Sequence, residues 1–216
     1  MLLTRSKGLK RKRIKHNSNP TMITCVMCLV LPVLLTSGCM TLPRGTGLDH
    51  NTPSDIHINK EAWVRKADML DPTVADRHSL ENPLTLNILE YIREGKYFTD
   101  ANLLPGEMGQ DDLVLHFQFD LYEQKRSVHP AYFPLALGTL TFYIWFGGPI
   151  YVDSSDLSGK LIVEDFSGSK ILEVNSKIEE EHNVSFWSPE YTFPSGIEGR
   201  TMLVKELLDK VVTKLY

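Results

Sequence analysis

The stretch Asp112–Tyr122, DLVLHFQFDLY, decides the fold, because apolar and mixed side chains alternate along it for five repeats. One set comprises Leu113, Leu115, Phe117, Phe119 and Leu121, and the other comprises Val114, His116, Gln118, Asp120 and Tyr122. A period of two predicts a long strand with one face in the core and the other mostly in water. Lys125-Arg126-Ser127 is predicted to begin the following loop.

Two further strands are predicted to form a hairpin. Leu157–Asp165 and Ile171–Ile178 both place apolar residues on one side. The link Ser167-Gly168-Ser169 contains the flexible residue that a tight loop requires.

The spacing of apolar residues predicts an early helix over residues 83–94. Asn82 is a suitable N-cap, Pro83 suits the first helical position, and Gly95 is placed to end the helix. Residues 96–102 follow as a short strand.

A second helix is predicted over residues 197–215, at the end of the chain. An apolar stripe recurs every four residues, opposite a charged face, at Leu203, Leu207, Val211 and Leu215. Ser195 and Glu198 have the spacing of a capping box. The element order predicts an α+β (or α/β) fold, in which a largely antiparallel sheet is flanked by the early helix and the carboxyl-terminal amphipathic helix.

Charge divides the chain into a basic head and an acidic body. Residues 1–38 carry seven of the 23 Lys and Arg residues, whereas all 27 Asp and Glu residues lie after residue 38. An acidic folded part argues against nucleic-acid binding, which needs basic surface on the domain.

The amino terminus has the layout of a secretory signal peptide. The basic residues 1–20 precede the uncharged apolar segment Met22–Leu35, and Thr36-Ser37-Gly38 leads to Cys39. Fourteen apolar residues span about 21 Å as a helix, less than the roughly 30 Å hydrocarbon core of a bilayer.

The junction Leu34-Leu35-Thr36-Ser37-Gly38-Cys39 resembles the lipobox of bacterial lipoproteins. In that family the Cys receives a diacylglyceryl group, the chain is cut before it, and the new amino terminus is acylated. The resemblance therefore implies that Cys39 is the lipidation site, bearing palmitate-like chains. Met40 stands where Asp would favour inner-membrane retention, which implies the outer membrane and its periplasmic face.

These observations predict three regions. Residues 1–38 are the signal peptide, residues 39–60 are the lipidated Cys and a flexible linker rich in Gly, Pro, Thr and Asn, and residues 61–216 are a single periplasmic domain. The order of elements in the domain is weakly similar to that of small envelope lipoproteins, the amino-terminal domain of TolB and CsgG-type secretion lipoproteins. The residues that carry this similarity are Leu137-Gly138-Thr139-Leu140, the Gly168 hairpin and Leu203–Leu215.

The domain contains an uncharged insert, residues 131–152, AYFPLALGTLTFYIWFGGPIYV. Three interpretations are open: buried structure broken up by Gly and Pro, an exposed apolar surface that touches the bilayer or a partner, and a true membrane span with an aromatic belt.

The sequence predicts no catalytic, metal or cofactor site. Cys25 and Cys28 form a C-x-x-C, but they lie inside the apolar core of the signal peptide. A metal site at His50 and His57 with Asp49 and Asp55 is disfavoured because a flexible linker rarely holds ligands rigidly. His116 is interpreted as a solvated or cross-strand histidine, the acidic pairs Asp111-Asp112 and Asp153/Asp156 as turn residues, and Glu179-Glu180-Glu181 as a solvated charge run. Ser154, Ser155 and Ser185 have no paired base in the sequence.

The leading hypothesis is a non-enzymatic envelope lipoprotein that contacts the membrane through its lipid anchor and serves assembly, transport or scaffolding through contacts with a protein partner. The alternative is a membrane-active or secretion-complex component in which residues 131–152 contact or enter the bilayer. A third hypothesis is a hydrolase whose site is assembled only in space.

Overall fold

A computed structural model of the chain describes residues 40–41, 45–139, 142–191 and 196–216. These residues belong to one unit, Cys39–Tyr216. The predicted signal peptide, its Cys25 and Cys28, and the predicted lipidation site Cys39 lie outside the described residues.

One mixed sheet organises the domain. Its strands are β1 (Met40–Thr41), β2 (Ile58–Val64), β3 (Asp68–Met69), β4 (Phe98–Leu103), β5 (Leu113–Val128), β6 (Pro149–Glu164) and β7 (Lys170–Ser185). The order is β4-β2-β5-β6-β7, and β1 and β3 also pair with β5. The long β5–β6 and β6–β7 pairs are antiparallel, whereas β2 pairs in parallel with β4 and β5. The prediction of an α+β fold with a largely antiparallel sheet is confirmed.

Two long helices, α1 (Arg77–Gly95) and α4 (Ile197–Leu215), pack with the sheet around one apolar core. Two short helices, α2 (Tyr132–Gly138) and α3 (Phe142–Trp145), and a 3₁₀ turn (Pro189–Tyr191) complete the structure. The bounds of α4 agree with the prediction, and of its apolar stripe Leu203, Leu207 and Val211 are fully buried, whereas Leu215 is partly buried. The predicted capping box is wrong, because Gly196 occupies the N-cap position in a left-handed conformation. Ser195 lies outside the described residues.

The first long helix begins earlier than the sequence predicted. Asp76 is its N-cap and accepts a hydrogen bond from the Ser79 backbone N–H at 3.4 Å, so Pro83 lies inside the helix rather than at its start. The helix includes Gly95, and Lys96 takes the left-handed C-cap conformation with φ 51°. A Cβ at Gly95 would lie 2.3 Å from Asn51 Nδ2, so close packing rather than a positive φ explains this glycine.

A register shift in β5 reverses which residues face the core. Phe119 pairs with Gly159, but the next pair is Leu121 with Ser158, so Asp120 is an extra residue. Up to Phe119 the predicted apolar set is buried as expected, but Val114 and His116 of the predicted wet face are buried as well, and after Phe119 the pattern changes phase. After the shift the buried residues are Tyr122, Gln124 and Arg126. The predicted loop at Lys125-Arg126-Ser127 is wrong, because β5 continues to Val128.

Gly159 faces this register shift and has no room for a side chain. A Cβ there would lie 2.8 Å from the Gln118 carbonyl oxygen and 3.3 Å from Phe119 Cδ1. We expect Gly159→Val to lower the free energy of unfolding by about 1–3 kcal/mol, because backbone must move. Urea titration should show this loss, and Gly138→Val, at a glycine with open space around it, is the control. Equal losses of stability in Gly159→Val and Gly138→Val would contradict the close packing proposed at Gly159.

The hairpin prediction is confirmed in part. The turn lies between Glu164 and Lys170, with Gly168 at φ 81°, but both strands are longer than predicted. Strand β6 starts at Pro149, inside the predicted insert, and β7 includes the charge run at 179–181, of which Glu179 and Glu181 are exposed.

Residues 45–57, which we name the strap, are not the flexible linker that the sequence predicted. Their backbone groups are held by side chains from two elements, β5 and α1: Tyr122 Oη donates to the Gly45 carbonyl at 2.8 Å, Asn87 Nδ2 donates to that of Thr46 at 2.8 Å, and Asn51 N–H donates to Glu94 Oε2 at 2.8 Å. The composition of the strap does not reveal these hydrogen bonds, because the residues that form them lie far from the strap in the sequence.

Glu81 ties α1 to the loop after β2 and makes stability depend on pH. Its carboxylate lies 2.7 Å from Lys66 Nζ and 3.0 Å from His78 Nδ1. Burial alone would raise the pKa of Glu81, but these hydrogen bonds outweigh burial and hold the pKa below the ordinary 4.5. A lowered folded-state pKa stabilises the fold above the unfolded-state pKa, and this contribution disappears as the pH falls through the folded-state pKa.

We therefore expect wild-type stability to fall below about pH 4.5 in part through Glu81. Glu81→Gln should be less stable at pH 7 and should lose less stability on acidification. Denaturant titrations at pH 7 and pH 3.5 measure both effects, and parallel losses in the two proteins would exclude Glu81 as a contributor.

Candidate functional site

The ends of three long strands meet at one end of the sheet, which we name the Met40 end. Val128 of β5 pairs with Tyr151 of β6, and Tyr151 pairs with Val184 of β7. Met40 pairs with Arg126 in antiparallel register, so the chain before Met40 is directed toward this end. The predicted lipidation site, Cys39, is the residue next to Met40 in the sequence and lies outside the described residues.

The insert at residues 131–152 joins β5 to β6 at the Met40 end. It contributes α2 and α3, neither of which has a buried residue, and then the first residues of β6. The buried interpretation is therefore wrong for both helices, whereas the exposed interpretation agrees with them. Within the ranges that the structure describes, no helix has the length and apolarity required to cross a membrane.

An exposed aromatic surface covers the Met40 end. It consists of Phe142, Trp145, Phe146, Phe186 and Trp187, whose exposed fractions range from 44% for Phe186 to 88% for Phe146. The rings of Trp145 and Trp187 lie 6.0 Å apart, and those of Phe186 and Trp187 lie 5.0 Å apart. Residues distant in sequence therefore form one surface, and contiguous exposed apolar patches typically mark interaction sites.

Specific contacts hold α3 on the sheet. Tyr143 Oη donates to the Pro149 carbonyl at 3.1 Å, and Thr139 Oγ1 accepts from the Tyr143 backbone N–H at 3.0 Å. Gly147 turns the chain with φ 79°, and a Cβ at Gly148 would lie 2.4 Å from the Tyr143 ring. The aromatic surface thus belongs to a folded segment that is attached to β6.

A buried ion pair lies on the core-facing side of the sheet behind this surface. Arg126, only 6% exposed, donates to both carboxylate oxygens of Asp153, at 2.6 and 2.7 Å. It also donates to the carbonyls of Glu190 at 2.7 Å and Tyr191 at 3.1 Å, and its guanidinium lies 5.1 Å from the centre of the Tyr151 ring. Asp153 raises the pKa of Arg126 above its ordinary value. Arg126 therefore fixes the segment that carries Phe186 and Trp187.

Gln124 and Arg200 extend this polar cluster toward α4. Gln124 Nε2 donates to the Gly196 carbonyl at 3.0 Å, and Arg200 Nη1 donates to Gln124 Oε1 at 3.2 Å. Arg200 is 2% exposed, and burial lowers the pKa of its guanidinium. Its Nε donates to the Gly47 carbonyl of the strap at 3.1 Å.

An acidic pocket of about 220 Å³ opens beside the cluster, at the amino end of α4. Its ionisable lining residues are Asp49, Asp153, Glu180, His182, Glu190 and Glu198. Asp153 and His182 face each other across β6 and β7, but Asp153 is already paired with Arg126. The described residues contain no group of three or more His, Cys, Asp or Glu placed to hold a metal ion.

The other residues singled out in the sequence are separate from one another. His50 pairs with Glu94 at 2.9 Å, and His57 Nδ1 lies 2.9 Å from the Lys96 carbonyl oxygen. His116 is buried, and the cross-strand alternative applies to it, because its Nε2 lies 2.8 Å from Asp68 Oδ2 on the neighbouring strand β3. Asp112 accepts from Trp63 Nε1 at 2.9 Å.

Comparison with known proteins identifies no family. No family model and no curated protein matches the chain. Among solved structures, the chain is similar to a protein of family DUF330 from Xanthomonas campestris, with 10% identity, 76% of this chain and 86% of that chain covered, and a TM-score of 0.38.

Two further solved structures resemble the chain to a similar degree. PelC from Paraburkholderia phytofirmans, a dodecamer, has 10% identity, coverage of 79% and 94%, and a TM-score of 0.35. A minor lipoprotein from Acinetobacter baumannii has 10% identity, coverage of 73% and 91%, and a TM-score of 0.34. At TM-scores below 0.5, these similarities do not assign a function to the chain.

Proposed function

We propose that the protein is a cell-envelope lipoprotein that is attached through a lipidated Cys39 to the periplasmic face of the outer membrane. The observation that carries the proposal is the sequence Leu34–Cys39, which follows a basic head and a short apolar segment. Two or three acyl chains hold a protein stably on a bilayer, whereas one chain binds only marginally.

The position of Met40 supports the proposal, because the strap and β1 begin the folded unit directly after Cys39. Met40 and Thr41 pair with β5, and the strap then crosses toward α1 and α4. A lipid on Cys39 would thus hold the domain close to the membrane rather than at the end of a long linker.

The role proposed for the domain is non-enzymatic: it serves assembly, transport or scaffolding through contacts with envelope proteins. The strongest polar cluster supports a structural use of its groups, since Arg126 directs hydrogen bonds to Asp153 and two backbone carbonyls. Such a cluster fixes the chain in place, because a buried ion pair is tolerated only when its hydrogen bonds are satisfied.

Metabolic labelling with an alkyne analogue of palmitate tests the anchor. Wild-type protein should be labelled, should have an intact mass that begins at Cys39 with a diacylglyceryl group, and should sediment with outer membranes. Cys39→Ser should lose the label and remain uncleaved, whereas Cys28→Ser should behave like wild type. A native product that begins at Met1 and carries no lipid would overturn the proposal.

A further inference from the structure

We propose that the aromatic surface is a second membrane contact, which lies in the interfacial region of the same bilayer that receives the Cys39 lipid. This inference rests on the proposed lipid anchor and adds the orientation of the domain. The partner is the bilayer itself.

The first reason is position. Cys39 directly precedes Met40, whose pairing with Arg126 directs the chain toward the Met40 end. The insert leaves β5 at Val128 and returns at Pro149, at that same end. A bilayer that holds the lipid of Cys39 therefore lies next to Trp145 and Phe146 without any rearrangement of the domain.

The second reason is chemistry. Residues 130–152 contain no Asp, Glu, Lys or Arg, and the added segment Phe186-Trp187-Ser188-Pro189 is also uncharged. Trp is enriched at the membrane–water interface, where an amphipathic ring contacts both acyl chains and headgroups. Trp145 is 67% exposed and Trp187 is 57% exposed, so both rings are available for such a contact.

The third reason is that the two contacts reinforce each other. Once the lipid anchor is inserted, contact between the surface and the bilayer is an intramolecular event at high effective concentration. Modest apolar contacts are then sufficient to orient the domain. Since the surface carries no formal charge, the contact should persist when the salt concentration is raised, unlike binding through basic residues.

The orientation has a consequence for the opposite end of the sheet. Strand β6 has 16 residues, which corresponds to roughly 50 Å at the usual rise of a strand. The turn after Glu164, with the 54% exposed Phe166, therefore projects away from the membrane. That end and the outward face of β5, β6 and β7 remain open to protein partners.

Fluorescence quenching by brominated lipids tests the contact. Purified lipidated protein is reconstituted in phosphatidylethanolamine and phosphatidylglycerol vesicles, with or without brominated phosphatidylcholine. The chain has three tryptophans: Trp145 and Trp187 on the surface, and Trp63, which is 8% exposed and donates to Asp112. Trp63→Phe, which retains only the surface tryptophans, should lose about half of its emission in brominated vesicles.

Matched variants give the controls. The double variant Trp145→Phe/Trp187→Phe retains only Trp63 and should show little quenching. In the Trp63→Phe background, Phe146→Ser should reduce the quenching, whereas Phe166→Ser, at an exposed phenylalanine beyond the far end of β6, should not. Phe146 is 88% exposed, so its replacement should leave the fold intact, which circular dichroism can verify.

Flotation of the same vesicles separates this inference from the proposed function. Protein that floats with the vesicles but shows equal, weak quenching of all tryptophans would overturn the surface contact and leave the lipid anchor in place. Crosslinks between surfaces of two copies, without quenching, would also overturn it, because a second copy would then cover the aromatic rings. Protein that neither carries lipid nor floats would overturn both proposals.

Discussion

Arg126→Met should lower the free energy of unfolding by about 3–5 kcal/mol, the largest effect that we expect from a single substitution. The change leaves the Asp153 carboxylate, 18% exposed, without its bidentate partner. It also removes the donors to the carbonyls of Glu190 and Tyr191. A carboxylate that loses its buried partner costs more than a surface pair, because water no longer compensates fully for the lost charge.

The double variant Arg126→Met/Asp153→Leu isolates the charge effect. It removes both charges, so it should recover part of the loss, although the two carbonyls remain without their donor at a cost of about 1–3 kcal/mol each. Lys125→Met, at the preceding residue of the same strand, is the matched control. Lys125 pairs with Glu123 at 2.9 Å, and both side chains are partly exposed, so its loss should cost at most about 1 kcal/mol.

Urea titration of all four proteins measures these differences, and hydrogen exchange locates them. We expect Arg126→Met to increase exchange in residues 184–191, since Arg126 holds the turn that follows β7. If Arg126→Met and Lys125→Met were equally stable, the Arg126–Asp153 ion pair would not stabilise the fold more than a surface pair does.

The elements that could be predicted from sequence are those with an uninterrupted pattern. Helix α4 agrees with its prediction because its apolar residues recur every four positions and pack into the core, three of the four in the predicted stripe being fully buried. In the first half of β5 the core face agrees with its period of two, whereas Val114 and His116, predicted to face water, are buried. The prediction fails at Asp120, because one extra residue exchanges the faces of a strand and nothing in the local sequence marks it.

The polar cluster was missed as a direct result of that phase change. With continued alternation, Gln124 and Arg126 would face water, and Lys125-Arg126-Ser127 resembles a loop. The partners of Arg126 come from β6 and from the turn after β7, at sequence separations that composition does not reveal. The aromatic surface was only partly predicted for a similar reason, since Phe186 and Trp187 join the insert only in three dimensions.

The strap was mispredicted because flexibility was inferred from composition alone. Gly, Pro and Asn weaken regular secondary structure, but they leave backbone carbonyls free to accept hydrogen bonds from side chains. Arg200, Asn87 and Tyr122 supply those donors. Burial raises the pKa of Tyr122 to about 12, so its hydroxyl remains a donor at neutral pH.

Arg200→Met should release the strap and lower the free energy of unfolding by about 2–3 kcal/mol. The substitution removes the donors to the Gly47 carbonyl and to Gln124 Oε1. Gly45 also packs against the guanidinium, since a Cβ there would lie 3.0 Å from Nη2. We expect faster amide exchange in residues 45–51, with little change in the centre of β5.

Two further variants separate the hydrogen bonds that the Arg200 guanidinium makes from the effect of its positive charge. Arg200→Lys keeps the charge but presents a single ammonium group, so it should reach one of the two acceptors and show an intermediate loss. Thr201→Val removes the bond from the Asp49 backbone N–H, 2.9 Å long, and the hydroxyl's own bond to the Ile197 carbonyl within α4, and it should cost less than Arg200→Met because no buried charge is involved. Unchanged exchange in residues 45–51 of Arg200→Met would contradict the strap assignment.

Arg200→Met also tests whether the strap helps to orient the domain on the membrane. A released chain between Met40 and His57 would have an r.m.s. reach of roughly 25 Å, so the lipid on Cys39 would no longer keep the aromatic surface against the bilayer. Under the proposed anchor, Arg200→Met in the Trp63→Phe background should still float with vesicles but should be quenched less by brominated lipids. Undiminished quenching would mean that the aromatic surface orients the domain without help from the strap.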